Sequence, residues 1–308
     1  MVYDDLFGRH NPGSSHPERF ERLEAVMAGL KEHKLLAELL LLKPVPTTTA
    51  WVTTIHSPEY LERVKASVAE GAAYLDTRDV PLTADSYMIA LLAAGGVQVA
   101  VDAVMDGRVK NAFCLIRPPG HHALKDKAMG FCIFNNVAIA ARYLQQKHHL
   151  AKILIVDWDV HHGNGTQAAF YNDPTVVYFS VHQHPAYPNT GLREERGEGA
   201  GTNTTYNVPL QPGSSIGNYK RAFHEVLVPA AANFKPDFVL ISAGFDALEN
   251  DPIGRMKLTA ADYAELTRIV KDIANQYCHG RLVSALEGGY DPQNLAAAVE
   301  AHLRELMK

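Results

Sequence analysis

Ile153-Leu154-Ile155-Val156 runs directly into Asp157-Trp158-Asp159-Val160-His161-His162-Gly163-Asn164-Gly165, so four apolar residues are followed at once by a crowd of ligating side chains. A short, uninterrupted apolar run of this kind reads as a buried strand. In an extended backbone alternate side chains share a face, which turns Asp157, Asp159 and His161 the same way. Two carboxylates beside an imidazole repel one another unless a cation lies between them, and a divalent metal is the simplest such cation. Taken alone, the segment also admits aspartates that cap a following helix and histidines that fill a polar loop.

Similar apolar runs occur at 112–116, 176–180, 238–242 and 282–286, and helical patterns occupy 17–40, 58–69, 84–105, 136–146, 218–233, 260–277 and 294–306. The alternation predicts an α/β fold with a largely parallel sheet. No low-complexity linker, internal repeat or composition shift divides the chain, so a single domain over residues 1–308 is expected. The longest irregular stretch, 183–203, reads as a functional loop. Hydrophobic residues make up 47% of the chain, enough for a substantial core. A net charge of -5, a pI near 6.3 and no block of Lys or Arg argue against direct nucleic-acid binding. The amino terminus lacks a basic segment followed by an apolar one, and no window reads as a membrane span of ~18 apolar residues, so no membrane partner and a cytoplasmic setting are expected. Cys114, Cys132 and Cys278 are few and far apart, which suits free thiols in a reducing compartment.

Functional-looking residues gather after the strand-like runs: Arg117 to His122, Asp157 to Asn164, His182 to Gly191, Gly244 to Asp246, and Glu287 to Tyr290. Parallel sheets place ligand sites beyond the carboxyl ends of their strands, so these loops can converge on one pocket. Asp246 could complete a three-ligand site with Asp159 and His161, leaving coordination positions open for water and a carbonyl oxygen, as hydrolysis requires. Asp246 alone could equally cap a turn. His121 or His122 could serve as general base, with Asp157 and Asn164 as orienting partners. Tyr290, after two glycines, could donate to an oxyanion or simply pack its ring.

Together these loops resemble the histone deacetylase family, which includes acetoin-utilisation proteins and acetylpolyamine amidohydrolases. The likeness spans most of the chain: Ser15-His16-Pro17-Glu18-Arg19, Arg117-Pro118-Pro119-Gly120-His121-His122-Ala123, Gly130-Phe131-Cys132-Ile133-Phe134-Asn135-Asn136, Asp157 to Gly165, Ser242-Ala243-Gly244-Phe245-Asp246-Ala247 and Glu287-Gly288-Gly289-Tyr290, in the family's order. The resemblance implies a three-layer arginase/deacetylase-type fold. It also implies a zinc ion on Asp159, His161 and Asp246, His121 paired with Asp157, His122 as acid and base, and Tyr290 polarising the acyl carbonyl. Asn164, where class I relatives carry aspartate, resembles the class II branch and leaves open how the two histidines divide the proton work. Gly130, Phe131 and Tyr187 are implied as walls of a channel for an acyl-lysine stem. A structural potassium ion is implied at Asp157 and main-chain oxygens near Asp159, His161, Ser180 and Val181. Asp76 or Asp79 could be a rim aspartate. The function implied is hydrolysis of an N6-acyl-lysine in a protein or peptide, with acetylpolyamine hydrolysis as the alternative. Ile253, in Asp251-Pro252-Ile253-Gly254, cannot pair with a second ammonium and favours the lysine reading. Oligomeric state is not legible in the sequence.

Overall fold

A computed structural model describes residues 1–308. Six strands form one sheet: β1 (Asn111–Cys114), β2 (Ile153–Asp157), β3 (Val176–Gln183), β4 (Thr205–Leu210), β5 (Phe238–Ala243) and β6 (Leu282–Leu286). They lie in the order β1-β6-β5-β2-β3-β4, and every pairing is parallel. Two sets of helices cover it. Ser86–Met105 and Asn136–Lys147 pack together, the first against β1 and β6 and the second against β2 and β5. Glu21–Glu32, Ala260–Cys278 and Pro292–Met307 form the other set, which meets the sheet at β1 and β5. The layers are therefore helix, sheet and helix, the arrangement that lets an all-parallel sheet bury both faces. One contiguous apolar cluster of 71 buried residues joins them, so no boundary divides the domain. A satellite cluster including Tyr60, Val64, Ile133 and Phe134 lies outside it.

Register is what positions the site. Asp157 on β2 lies opposite Ser180 on β3 and Ser242 on β5, and Ser242 opposite Ala285 on β6. β6, β5 and β2 thus end almost level, β3 runs on to Gln183, and the loops leaving the level ends are delivered to one place.

Several expectations are corrected. β4 was not foreseen: Thr205-Tyr206-Asn207-Val208-Pro209-Leu210 is only partly buried and contains a proline, which a sheet tolerates at its edge, where β4 lies. The helix expected over 17–40 runs only from Glu21 to Glu32, because Lys34 turns left-handed (φ 60°) before a 3-10 turn at Leu35–Glu38. The helix expected over 218–233 is Ile216–Ala222, a π segment Phe223–Leu227 and Val228–Phe234, with Pro229 in the following turn removing one amide donor. The statement that no window reads as a membrane span also fails: Ser86–Met105 is long and apolar enough by length and composition, but 78% of its apolar window is buried inside the fold. It is a core helix, packed on the sheet.

Candidate active site

β2 ends at Asp157, and the chain then leaves extended geometry, so Asp157 does not share a face with Asp159 and His161 as an unbroken strand requires. Its Oδ2 instead accepts hydrogen bonds from His121 Nδ1 (3.1 Å) and the Tyr178 hydroxyl (3.0 Å), while Oδ1 accepts the Asp159 amide. Asp159 and His161 converge with Asp246, which follows β5. One ligand atom from each lies within 4.8 Å of the others, and all three residues are buried.

The surroundings of this triad suit a cation. Val160 N donates to Asp246 Oδ1 (2.8 Å), and Gly288 N and His161 N donate to the two oxygens of Asp159 (2.8 and 2.9 Å), fixing both carboxylates. Asp246 Oδ2, 3.2 Å from His161 Nδ1 but out of line for a hydrogen bond, is buried with no partner. Burial and the charge on Asp159 push the Asp246 carboxyl up, a conflict that a divalent ion between the two relieves. Gly288 is required by space: a Cβ there would lie 2.1 Å from Asp246 Oδ2 and 2.6 Å from Asp159 Oδ2. An Asp-His-Asp donor set of this kind fits zinc and also accepts Fe(II) or Co(II).

The turn at 117–122 brings His121 and His122 to the triad, with ring centroids 4.0 Å apart. Burial opposes charge on His121, but Asp159, Asp157 and Glu287 outweigh it and hold its pKa up at about 10. His122 is driven the other way, well below the ordinary histidine value, by burial and by the charges of His121 and His161. His122 Nδ1 donates to Asn164 Oδ1 (2.8 Å), leaving Nε2 with its lone pair.

A cavity of about 230 Å³ opens above these groups, lined by His122, His161 and Tyr290 together with Phe131, Gly130, Tyr187, Ile253 and Asp79. Gly130, Phe131 and Tyr187, expected as channel walls, and Ile253 thus lie around one cavity. Phe131 meets the Tyr290 ring edge-on at 5.8 Å, and Tyr187 stands edge-on to His122 at 5.1 Å. Gly130 adopts a left-handed φ of 57°, and a Cβ would lie 2.2 Å from His122 Cδ2, so only glycine fits this wall. Of the two rim candidates, Asp79 lines the cavity. Its Oδ2 accepts from Gly130 N (2.9 Å) and lies 3.5 Å from the Tyr187 hydroxyl. Asp76 is instead tied to Arg63 and to Ala128 N.

Three further groups were not singled out beforehand. Glu287 accepts from Gly120 N (2.6 Å), His121 N (3.2 Å) and Ser242 Oγ (3.0 Å), joining the loops after β1 and β6 to strand β5. Burial pushes its carboxyl up to about 7 against the pull of His121. Tyr178 holds Asp157, and Arg22 lies 4.9 Å over the Tyr290 ring. For Glu287 a signal existed: a carboxylate immediately after a strand apolar at every position but Ser284 must be buried and hydrogen-bonded.

Residues 16–306 match the histone deacetylase domain. The chain is 41% identical over 292 residues to a probable deacetylase of Archaeoglobus fulgidus, covering 94% of this chain and 80% of that one. It is 40% identical over 275 residues to a histone deacetylase-like amidohydrolase of Pseudomonas aeruginosa, covering 89% and 71%. In three dimensions it superposes on the crystal structure of the HDA15 HD domain with a TM-score of 0.94 at 37% identity, covering 99% of this chain and 87% of the other. With the domain matched over residues 16–306 and the three-layer fold shared along nearly the whole sequence, the chain belongs to the histone deacetylase family.

Proposed function

We propose that this chain, as one catalytic domain over residues 1–308, is a zinc-dependent amidohydrolase that removes acetyl or other acyl groups from the N6 amine of lysine in proteins or peptides. The observation that carries this reading is the cavity itself: walls from Phe131, Tyr187 and Ile253 lead down to His122, His161 and Tyr290. Such walls desolvate an aliphatic stem, and Asp79, the one carboxylate of the lining, is tied through Oδ2 to Gly130 N beside the channel. Asp159, His161 and Asp246 would hold the ion, which when bound supplies Lewis acidity toward the acyl carbonyl and the attacking water. His122, neutral and with Nε2 free, takes the proton of that water and returns it to the departing lysine amine. His121, held cationic by Asp159, Asp157 and Glu287, stabilises the negative charge that develops on the carbonyl carbon's oxygens. Burial and the charge of Asp246 push the Tyr290 phenol well above its ordinary pKa, so it keeps a proton to donate to that oxygen. A structural potassium ion at Asp157 and the main-chain oxygens of Asp159, His161, Ser180 and Val181 belongs to the same reading through family likeness. Three buried, unpaired thiols support a cytoplasmic setting.

The acetylpolyamine alternative needs a carboxylate free to meet a distant ammonium. Asp251, two residues before Ile253, is buried and spends its oxygens on backbone amides, and the cavity's Asp79 is engaged by Gly130 N and faces the Tyr187 hydroxyl. Purified zinc-loaded enzyme assayed on acetyl-lysine peptides, longer acyl-lysine peptides and acetylated polyamines decides the matter. Peptide turnover is expected to dominate, and faster hydrolysis of acetylpolyamines would overturn the lysine reading.

A further inference from the structure

We infer that Asp251 is the positioning residue that sets the Tyr290 hydroxyl at the reacting centre, an inference that rests on Tyr290 acting as the oxyanion donor. Asp251 lies in the loop after β5, five residues beyond the ligand Asp246, and is 6% exposed. Its Oδ1 accepts from Ile253 N (2.9 Å) and Gly254 N (3.0 Å), and its Oδ2 accepts from Tyr290 N (2.8 Å). One buried carboxylate therefore joins the loop after β5, which supplies the channel wall Ile253, to the loop after β6, which supplies the phenol. The Tyr290 ring is confined laterally by the Arg22 guanidinium at 4.9 Å and the Phe131 edge at 5.8 Å. How far it reaches toward Asp246 and His161 is set by its main chain, where the peptide between Gly289 and Tyr290 is held at its carbonyl by Arg22 Nε (2.6 Å) and at its amide by Asp251. Only a carboxylate offers acceptors on both atoms: an asparagine can keep the bonds from Ile253 and Gly254 through its oxygen, but its amide nitrogen cannot accept from Tyr290 N. A small displacement of a donor aimed at a developing charge is felt in the rate, about 10²-fold for 1 Å.

The experiment is a double-mutant cycle on zinc-loaded enzyme with an acetyl-lysine peptide, using Asp251→Asn, Tyr290→Phe and the pair. Asp251→Asn is expected to lower kcat about 10- to 100-fold with KM and zinc content held, and to lower it no further once Tyr290→Phe has removed the hydroxyl. Asp251→Ser, whose hydroxyl reaches the near amides but not Tyr290, repeats the cycle if the asparagine variant does not fold. A full, multiplicative loss in the Tyr290→Phe background would overturn the inference, as would wild-type kcat in Asp251→Asn. Wild-type activity of Tyr290→Phe alone would instead bring down the reading of Tyr290, and the inference with it, and that result is visible before the pair is made.

Discussion

His121 and His122 are neighbours in the chain, yet they are driven to opposite charge states: carboxylates outweigh burial at His121, whereas burial and the charges of His121 and His161 depress His122. A general base must be deprotonated, so a depressed His122 keeps the enzyme active as pH falls, and the acid limb of kcat/KM is expected below the ordinary histidine value of 6.5. Asn164→Asp places a carboxylate beside Nδ1 and should move that limb upward by about one unit or more, read from the pH profile at constant zinc content. An unmoved limb would show that another group carries the proton. Tyr290→Phe should leave fold and metal intact and lower kcat by about 10²–10³, with KM little changed in steady-state assays. Asp159→Ala, His161→Ala and Asp246→Ala should each lose stoichiometric zinc by elemental analysis, since three ligands leave none to spare. These residues were legible because Asp and His crowded after apolar strands have few other uses. Asp251 and Tyr178 were not, because their importance lies in which amide or carboxylate they touch across tens of residues, and nothing local in the sequence encodes that.

At the level of elements, strands buried on both faces announced themselves, and β2, β5 and β6 fall within a residue of where their apolar runs place them. The edge strand β4 did not, since one side of it meets solvent and Pro209 breaks the propensity pattern. Helix limits failed where tertiary packing overrides local preference, at Lys34 and across the π segment before Pro229. The loops at the strand ends are as tightly specified as the strands. Gly288→Ala is the sharpest check, because its methyl group would press on both carboxylates of the triad. Zinc stoichiometry well below one per chain is expected, with far-ultraviolet dichroism unchanged; full zinc and full activity would mean that the loop after β6 yields more readily than its hydrogen bonds imply.

Across the whole molecule, stability is tied to buried histidines as well as to apolar area. His302 is fully buried, donates from Nδ1 to Thr267 Oγ1 (2.7 Å) and accepts at Nε2 from Ser284 Oγ (2.8 Å). Burial lowers its pKa to about 3. Its folded value lies below its unfolded value, so its contribution is fully present above about pH 6.5 and is lost as pH falls toward 3, at about 1.4 kcal/mol per unit. The stability gap between wild type and His302→Gln, measured by urea unfolding, should therefore narrow as pH drops through that window; a gap independent of pH would show that the imidazole protonates in place. The membrane-like composition of Ser86–Met105 bears on how the protein is made. That helix is shielded in part by β6, which is translated about 180 residues later. At about 5–20 residues per second, a ribosome leaves this greasy cylinder without its full cover for some tens of seconds. Until the last strand arrives, the apolar face that β6 covers in the finished fold stands open to solvent.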